Sequence, residues 1–473
     1  MLLIWPIITA IMFARMERTS AFIWSMLAGY MFLPPNIAID LPTLPGLGKN
    51  EIMSMSAMLM LWLGMGKKSG ERDPMEADLA PVIPRSMVLM ISMMFLSIIL
   101  TGISNGSPLV EGVSYKPGVD TTQIIGNLLL QYVELIPFFV AFKLLSTPSQ
   151  TRKLLRAFMI AFLIYSLPML MEVRLSPQLN TWIYGYFQHD FAQTFRYNGY
   201  RPIVFMNHPI WVASFATTGF LAALCLARAY GAGPRMIFLL LYLAAVLVLC
   251  KTMTAILMSL MAAPLILFAA PRTVLTFSMI LTLIMVSYPV LRLFNVLPTD
   301  EIVAFIEESQ PERAGSLAFR FDNEFVLLER AMLQPLFGWG PWGRNFPVNP
   351  ETGRTLAIAD GYWVITFGTR GIFGYLAMFG ALATPVFIIW RRRYELLLRH
   401  DRPAVLMVAT VTLLLAINLF ELIPNATLTP LTWLVTGTVL GHACRLRYIR
   451  DARGRWKKRQ EETPEKTGIR HAL

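Results

Sequence analysis

Three charged residues in the C-terminal half of the chain occupy positions where they could take part in catalysis. Arg320 and Glu324 are four residues apart, so on a helix they share one face and can form an ion pair. Asp360 stands directly before an apolar run, where a carboxylate either accepts a proton as a general base or caps the following helix. We take Asp360, Arg320 and Glu324 as the candidate catalytic residues.

A second group lies before another apolar run. Arg201 follows Gly199 and Tyr200, and His208 precedes Pro209. A guanidinium fixed beside a membrane span can hold a phosphate through two parallel hydrogen bonds. The alternatives are a headgroup anchor for Arg201 and a structural role for His208. Both residues are candidates for substrate binding.

The segment from Gln334 to Arg344 is rich in glycine and tryptophan. Trp339 and Trp342 suit either a membrane interface or the flat face of a sugar. Arg313 and Arg344 add positive charge in the same part of the chain. All four residues are therefore further candidates for substrate binding.

Arg370 lies about two and a half helical turns beyond Asp360, inside an apolar run. Glu134 also lies inside such a run. A charge that faces lipid costs several kcal/mol, so we expect both side chains to face the protein interior. Arg370 is the last binding candidate, and helix packing is the alternative explanation for it.

Composition indicates the elements that must position these residues. Hydrophobic residues make up 55% of the 473 positions and the mean hydropathy is +0.55. Recurrent apolar runs predict an all-α polytopic membrane protein with about 12–13 transmembrane helices. The predicted spans are 1–14, 20–38, 52–66, 87–102, 124–144, 157–171, 210–227, 236–251, 255–270, 274–294, 361–390, 403–420 and 431–444. Residues 1–444 form one membrane domain, and 445–473 form a basic tail.

Lysine and arginine concentrate in alternate connections and in the tail, which the positive-inside rule assigns to the cytoplasm. The C-terminus is then inside, the N-terminus outside, and the long loops 172–209 and 295–360 face outward. The second loop is predicted to be helical, with one helix at 300–308. Phe321, Phe325, Leu328 and Met332 recur at helical spacing and predict an apolar stripe that packs on the membrane body.

Several classes of function are excluded or disfavoured. The formal charge is +12, but the lysines and arginines are concentrated in alternate connections between spans and do not form a basic face on a soluble domain. We therefore expect no nucleic-acid partner. Cys225, Cys250 and Cys444 lack the spacing of a metal site, and the outer loops contain no Asp-X-Asp pair. We expect no metal ion and no cofactor.

At these residues the chain resembles the O-antigen ligase and O-antigen polymerase superfamily of bacterial cell envelopes. Three stretches carry the resemblance and cover roughly residues 195–380: Gly199 to Pro202 with His208 and Pro209, Gly315 to Arg320 with the segment Pro335 to Gly340, and Asp360 to Trp363 with Gly368 to Gly374. Each motif is loose alone, whereas their order and spacing together are fairly specific.

The resemblance implies a GT-C-like membrane glycosyltransferase that uses a polyprenyl-diphosphate-linked oligosaccharide and needs no metal ion. It also implies that Arg201 and Arg320 hold the donor diphosphate. Ligases of the family carry a histidine near the start of the span after the large loop, where this chain has Asp360. That departure favours an exopolysaccharide or O-antigen polymerase in the bacterial inner membrane. Membrane lipids and other polysaccharide assembly proteins are the further expected partners, and a lipid-linked glycan flippase or a membrane acyltransferase is the alternative.

Overall fold

The computed structural model of the chain is built almost entirely of helices. It describes residues 1–40, 45–67, 81–308 and 311–462, with side chains except at 312–313 and 447–462. Numbered in chain order, the described α-helices are α1 (Trp5–Arg15), α2 (Arg18–Phe32), α3 (Lys49–Trp62), α4 (Arg85–Ser104), α5 (Thr121–Leu144), α6 (Pro148–Leu175), α7 (Leu179–Tyr184), α8 (Pro209–Tyr230), α9 (Pro234–Leu249), α10 (Met253–Phe268), α11 (Pro271–Leu293), α12 (Thr299–Glu307), α13 (Pro311–Met332), α14 (Tyr362–Arg391), α15 (Arg393–Arg399), α16 (Arg402–Glu421) and α17 (Pro430–Glu462).

Two short antiparallel hairpins interrupt the helices. Strand β1 (Leu109–Glu111) pairs with β2 (Ser114–Lys116), and β3 (Phe195–Arg196) pairs with β4 (Gly199–Tyr200). Each hairpin lies in a connection between long helices. They do not change the all-α class of the protein.

Helix starts follow local chemistry. The backbone N–H of Gln123 donates to Asp120 Oδ1 at 2.8 Å, and the Gln123 side chain accepts from the Asp120 N–H, which together begin α5. Asp401 caps α16 in a similar way by accepting from the Ala404 N–H at 2.9 Å. Proline stands at the start of α8, α9 and α11, where its missing N–H would have no helical partner in any case.

In the described part of the chain, seven helices are long and apolar enough to cross a membrane: α4, α5, α6, α8, α11, α14 and α16. Three shorter apolar helices accompany them, at Leu2–Arg15, Pro234–Leu249 and Met253–Phe268. The chain is therefore an all-α polytopic membrane protein. The finer expectation of 12–13 spans stays a prediction.

Burial orders these helices within the bundle. The apolar windows of α8 and α16 are 83% buried, so these two helices lie at its centre. The windows of α4 and α5 are only 33% and 39% buried, which places both at the periphery. We infer that the outer faces of α4 and α5 contact lipid.

The connections gather at two opposite ends of the bundle. At one end, the Val113 N–H donates to Pro350 O and Arg320 Nη1 donates to Pro424 O, which joins loops far apart in sequence. At the other, Arg392 donates to Ala443 O, Arg445 donates to Ser146 Oγ, and Lys153 pairs with a glutamate near the start of α2. We call the first the loop end. The basic connections lie at the second, as the alternation of charge predicts.

Helix α14 is broken at Gly371, whose φ of 64° is left-handed. Residues 335–340 fill the break: the Trp339 N–H donates to Gly368 O and the Ile372 N–H donates to Pro335 O. A Cβ on Gly371 would lie 2.3 Å from Leu336 O, so only glycine allows this approach. Part of the long loop 295–360 therefore inserts between helices.

The apolar stripe expected on α13 is wrong in detail. Phe325 and Met332 are 56% and 39% exposed, whereas Leu327, Leu328 and Ala331 are buried. The buried face also contains Glu324, because that carboxylate has polar partners on neighbouring helices. The buried face of α13 is therefore set by the polar contacts of Glu324 with neighbouring helices, and it differs from the face that carries Phe325 and Met332.

Candidate functional site

Arg201 enters the loop end from the first long loop and is buried. Its backbone N–H donates to Thr194 O at 2.7 Å beside the β3–β4 hairpin. Its Nη2 donates to Thr252 Oγ1 at 2.7 Å and its Nη1 to Gln193 O at 3.3 Å. Burial, followed by the charge of Arg196, lowers the pKa of Arg201 to about 10, so the group stays protonated at neutral pH. It is a fixed cation held by neutral oxygens.

Lys251 adds a second cation at the turn between α9 and α10. Its Nζ donates to Arg196 O at 3.1 Å and to Tyr197 O at 3.4 Å, both in the β3–β4 hairpin. Lys251 and Arg201 together tie the hairpin to this turn.

His208 is the N-cap residue of α8. Its Nδ1 accepts from the Ile210 N–H at 3.0 Å, and its Nε2 lies 3.2 Å from Gln193 Oε1. The ring of His189 packs edge-on against it, with centroids 4.5 Å apart. The pKa of His208 is lowered to about 3, chiefly by burial and then by the nearby His189, Arg201, Arg196 and Arg320. The charged groups that act on this imidazole within the described residues are thus all basic.

The second long loop supplies Arg320 and Asp360, which form an ion pair. Arg320 Nε lies 3.2 Å from Asp360 Oδ2, and the two side chains are 28% and 41% exposed. The expected pair of Arg320 with Glu324 is wrong. The alternative that Asp360 caps the following helix is also wrong, since the N-cap residue of α14 is Gly361 and the cap has no side-chain hydrogen bond.

Glu324 faces the bundle. Tyr288 Oη donates to Glu324 Oε2 at 3.0 Å, Trp363 Nε1 donates to Oε1 at 3.4 Å, and Arg292 Nε lies 3.5 Å from Oε2. Burial raises the pKa of Glu324, while these neighbours oppose the rise. The carboxylate is 8% exposed, so it is less accessible than Asp360.

We define the charged cluster as Arg201, His208, Arg320 and Asp360. Its members come from the two long loops, more than a hundred residues apart in sequence. Both loops reach the same end of α16: Ser214 Oγ, in the second turn of α8 after His208, donates to Glu421 Oε2 at 2.6 Å, and Arg320 Nη1 donates to Pro424 O at 3.4 Å. Fixed cations at such a place can neutralise phosphate oxygens, and an exposed carboxylate can accept a proton.

Other predicted residues form a separate structure, which we call the hairpin clamp. Trp339 lies under Arg330, whose guanidinium carbon is 3.7 Å from the ring centroid, and Arg330 Nη1 lies 2.7 Å from Glu111 Oε1. Arg344 Nη1 donates to Ser107 O at 3.0 Å and Pro117 O at 2.8 Å. These side chains therefore fix the connection 105–120, which contains β1 and β2, against the long loop.

The remaining candidates lie elsewhere. Trp342 is 57% exposed, and its Nε1 lies 3.4 Å from Gln123 Oε1. Arg370 lies beside the break in α14 and donates to Gln131 Oε1 at 2.8 Å. The side chain of Arg313 lies outside the described residues.

The sequence gives little sign of the residues that organise the cluster. Gln193 links His189, His208 and Arg201, and Thr252 holds the Arg201 guanidinium. Both residues are uncharged, and neither lies in a recognisable sequence motif. Within the described residues, no group of three or more His, Cys, Asp or Glu side chains is placed to hold a metal ion. No protein-family model and no curated protein matches the chain.

Proposed function

We propose that the chain is a membrane glycosyltransferase that acts on a polyprenyl-diphosphate-linked oligosaccharide at the outer face of the bacterial inner membrane. Among the reactions of this kind, we favour polymerisation of an exopolysaccharide or O-antigen over ligation. The observation that supports the proposal best is the ion pair between Arg320 and the partly exposed carboxylate of Asp360, which lies in the charged cluster at the loop end. A GT-C-like arrangement of the helices is part of the same proposal.

The cluster supplies the two requirements of this transfer. The bond between the anomeric carbon and the donor phosphate breaks, the diphosphate leaves with the electron pair, and an acceptor hydroxyl forms the new glycosidic bond. Arg320 neutralises the charge that grows on the diphosphate by direct contact, and the buried Arg201 adds a fixed positive charge from within the protein. Asp360 accepts the hydroxyl proton.

The ion pair between Arg320 and Asp360 is compatible with these roles. Both side chains are partly exposed, and a pair of this kind contributes at most about 1 kcal/mol. A diphosphate is a better partner for a guanidinium than one carboxylate is, because it offers several charged oxygens. Donor binding then releases Asp360 to act as a base.

Acyl transfer fits the geometry less well. A membrane acyltransferase needs a histidine with a free nitrogen, and both ring nitrogens of His208 are engaged, one by the Ile210 N–H and one by Gln193. The low pKa of His208 keeps the ring neutral, but proton transfer by either nitrogen would first have to break one of these two contacts. His208 is better suited to holding the start of α8.

The glycan profile of a deletion strain tests the proposed function. A polymerase predicts that single repeat units accumulate on the lipid carrier, whereas a ligase predicts polymer that never reaches its final lipid anchor. An unchanged glycan profile, with purified protein inactive on lipid-linked oligosaccharide, would contradict both.

The proposed orientation is tested separately with reporter fusions. A reporter placed after residue 330 should read as outside and one placed after residue 398 as inside, because the basic connections should face the cytoplasm. Signals from the same side would remove the basis for a reaction at the outer face.

A further inference from the structure

An open cleft of about 200 Å³ lies beside the break in α14, apart from the charged cluster. Thr101 and Gly102 of α4, Asn127 of α5, the turn at Gly340 and the side chain of Arg370 contribute to its lining. The cleft exists because α14 is interrupted: the inserted residues 335–340 and the kink at Gly371 hold the neighbouring helices apart. Broken helices of this kind are tolerated in membranes where they line a cavity.

Arg370 brings a positive charge into this cleft. Within the described residues its one hydrogen bond goes to Gln131 Oε1, and no carboxylate oxygen lies within 4 Å of it. Gln131 separates it from Glu134, which accepts from Gln131 Nε2 at 2.9 Å and from Trp433 Nε1 at 3.0 Å. The other guanidinium N–H groups remain available to an anion, as does the side-chain amide of Asn127.

The outer surroundings of the cleft are apolar. Ile103 of α4 and Ile125 and Leu129 of α5 are 69%, 53% and 43% exposed. Both helices lie at the periphery of the bundle, so these apolar side chains are accessible to acyl or isoprenoid chains. An anion that reaches Arg370 along this surface therefore carries an apolar tail.

We propose that the cleft binds the phosphate group of a membrane lipid, with Arg370 and Asn127 as hydrogen-bond donors. The lipid tail lies along α4 and α5. The site is distinct from the charged cluster and does not depend on the proposed glycosyl transfer, because it requires only a phosphate and an apolar chain.

The test uses the purified full-length protein in dodecyl maltoside micelles, which contain no phosphate. Phosphatidylglycerol, a polyprenyl phosphate and inorganic phosphate are titrated separately, and the apparent Tm gives the affinity of each. We expect a saturable rise in Tm with either phosphate-bearing lipid and none with inorganic phosphate. Arg370→Gln should weaken lipid binding at least ~10-fold, because charge-assisted hydrogen bonds to phosphate are lost.

Two further variants separate binding from folding. Asn127→Leu fills part of the cleft and leaves the contact of Arg370 with Gln131 intact, so it should weaken lipid binding without lowering the Tm in phosphate-free micelles. Arg174→Gln is the matched control, since Arg174 is an exposed arginine at the loop end of α6. Equal binding by the parent and Arg370→Gln, an equal loss in Arg174→Gln, or an equal response to inorganic phosphate would overturn the proposal.

Discussion

The charged cluster and the hairpin clamp both contain arginines from the same long loop, yet they use them differently. In the clamp, Arg344 is 4% exposed and donates to backbone carbonyls, and Arg330 lies between Trp339 and Glu111. In the cluster, Arg320 is partly exposed and has one carboxylate that a ligand can displace. Burial and the nature of the partners therefore separate Arg320 from Arg344, whereas residue type does not. Arg201 is 1% exposed and donates to Thr252 Oγ1 and to the Gln193 and Cys250 carbonyls, so within the cluster it is held as firmly as the clamp arginines.

The largest effect is expected from Asp360→Asn. If Asp360 is the general base, the variant should lose roughly 10²–10⁴-fold in elongation rate with purified lipid-linked substrate, because asparagine cannot accept the proton. Its stability should change little, since Asp360 caps no helix. Asp322→Asn on the exposed face of α13 is the matched control. A rate near that of the parent would make Asp360 structural and direct attention to Glu324.

The clamp is tested by Arg344→Met. Loss of two charge-assisted hydrogen bonds from a buried side chain should lower the free energy of unfolding by about 2–4 kcal/mol, seen as a fall in Tm. Activity per folded molecule should be preserved. The exposed Arg354→Met should stay within about 0.5 kcal/mol of the parent. A variant that is stable but inactive would support the earlier prediction that Arg344 binds substrate.

Arg320→Lys tests whether the cluster needs a guanidinium. A lysine keeps the charge but cannot form two parallel hydrogen bonds, so we expect roughly a 10–100-fold loss of activity. The Tm should hardly move, since an exposed ion pair contributes little. Full activity at equal protein level would leave Arg320 with a general electrostatic role and would weaken the contrast between cluster and clamp.

The sequence predicts the long helices well because their apolar runs are long. The expected spans 87–102, 361–390 and 403–420 correspond to Arg85–Ser104, Tyr362–Arg391 and Arg402–Glu421. It does not predict the break in α14, since hydropathy gives no information on the φ of a glycine. The β1–β2 hairpin was also missed, because its connection is short and its few apolar residues show no clear period.

The site was less predictable for a related reason. The i, i+4 spacing pairs Arg320 with Glu324, but residues from other elements compete for both side chains. Asp360 takes the arginine, while Tyr288 and Trp363 hold the glutamate. Partners so distant in sequence leave no local signal. The spacing of Arg201 and His208 before an apolar run did place both residues at the loop end.

The smallest expected effect concerns pH and again separates the cluster from the clamp. The pKa of His208 is lowered to about 3 in the folded protein, chiefly by burial. Its ordinary value in the unfolded chain is about 6.5, so the unfolded state binds the proton more readily below that pH. The stability associated with neutral His208 is therefore fully present above about pH 6.5 and is lost as the pH falls toward 3.

Between pH 7 and pH 5 this difference should cost about 2 kcal/mol of unfolding free energy. His208→Asn removes the titration and keeps a good N-cap for α8, because the asparagine side chain can accept from the Ile210 N–H as the imidazole does. The variant loses the contact with the His189 ring and should start from a lower Tm at pH 7.

The informative quantity is thus the fall in apparent Tm from pH 7 to pH 5, which should be smaller in His208→Asn than in the parent. Arg344→Met should show the parental fall, since an arginine does not titrate in this range. Equal falls in the parent and His208→Asn would mean that folding does not lower the pKa of His208, and at pH 5 the protonated imidazole would then add to the positive charge of the cluster.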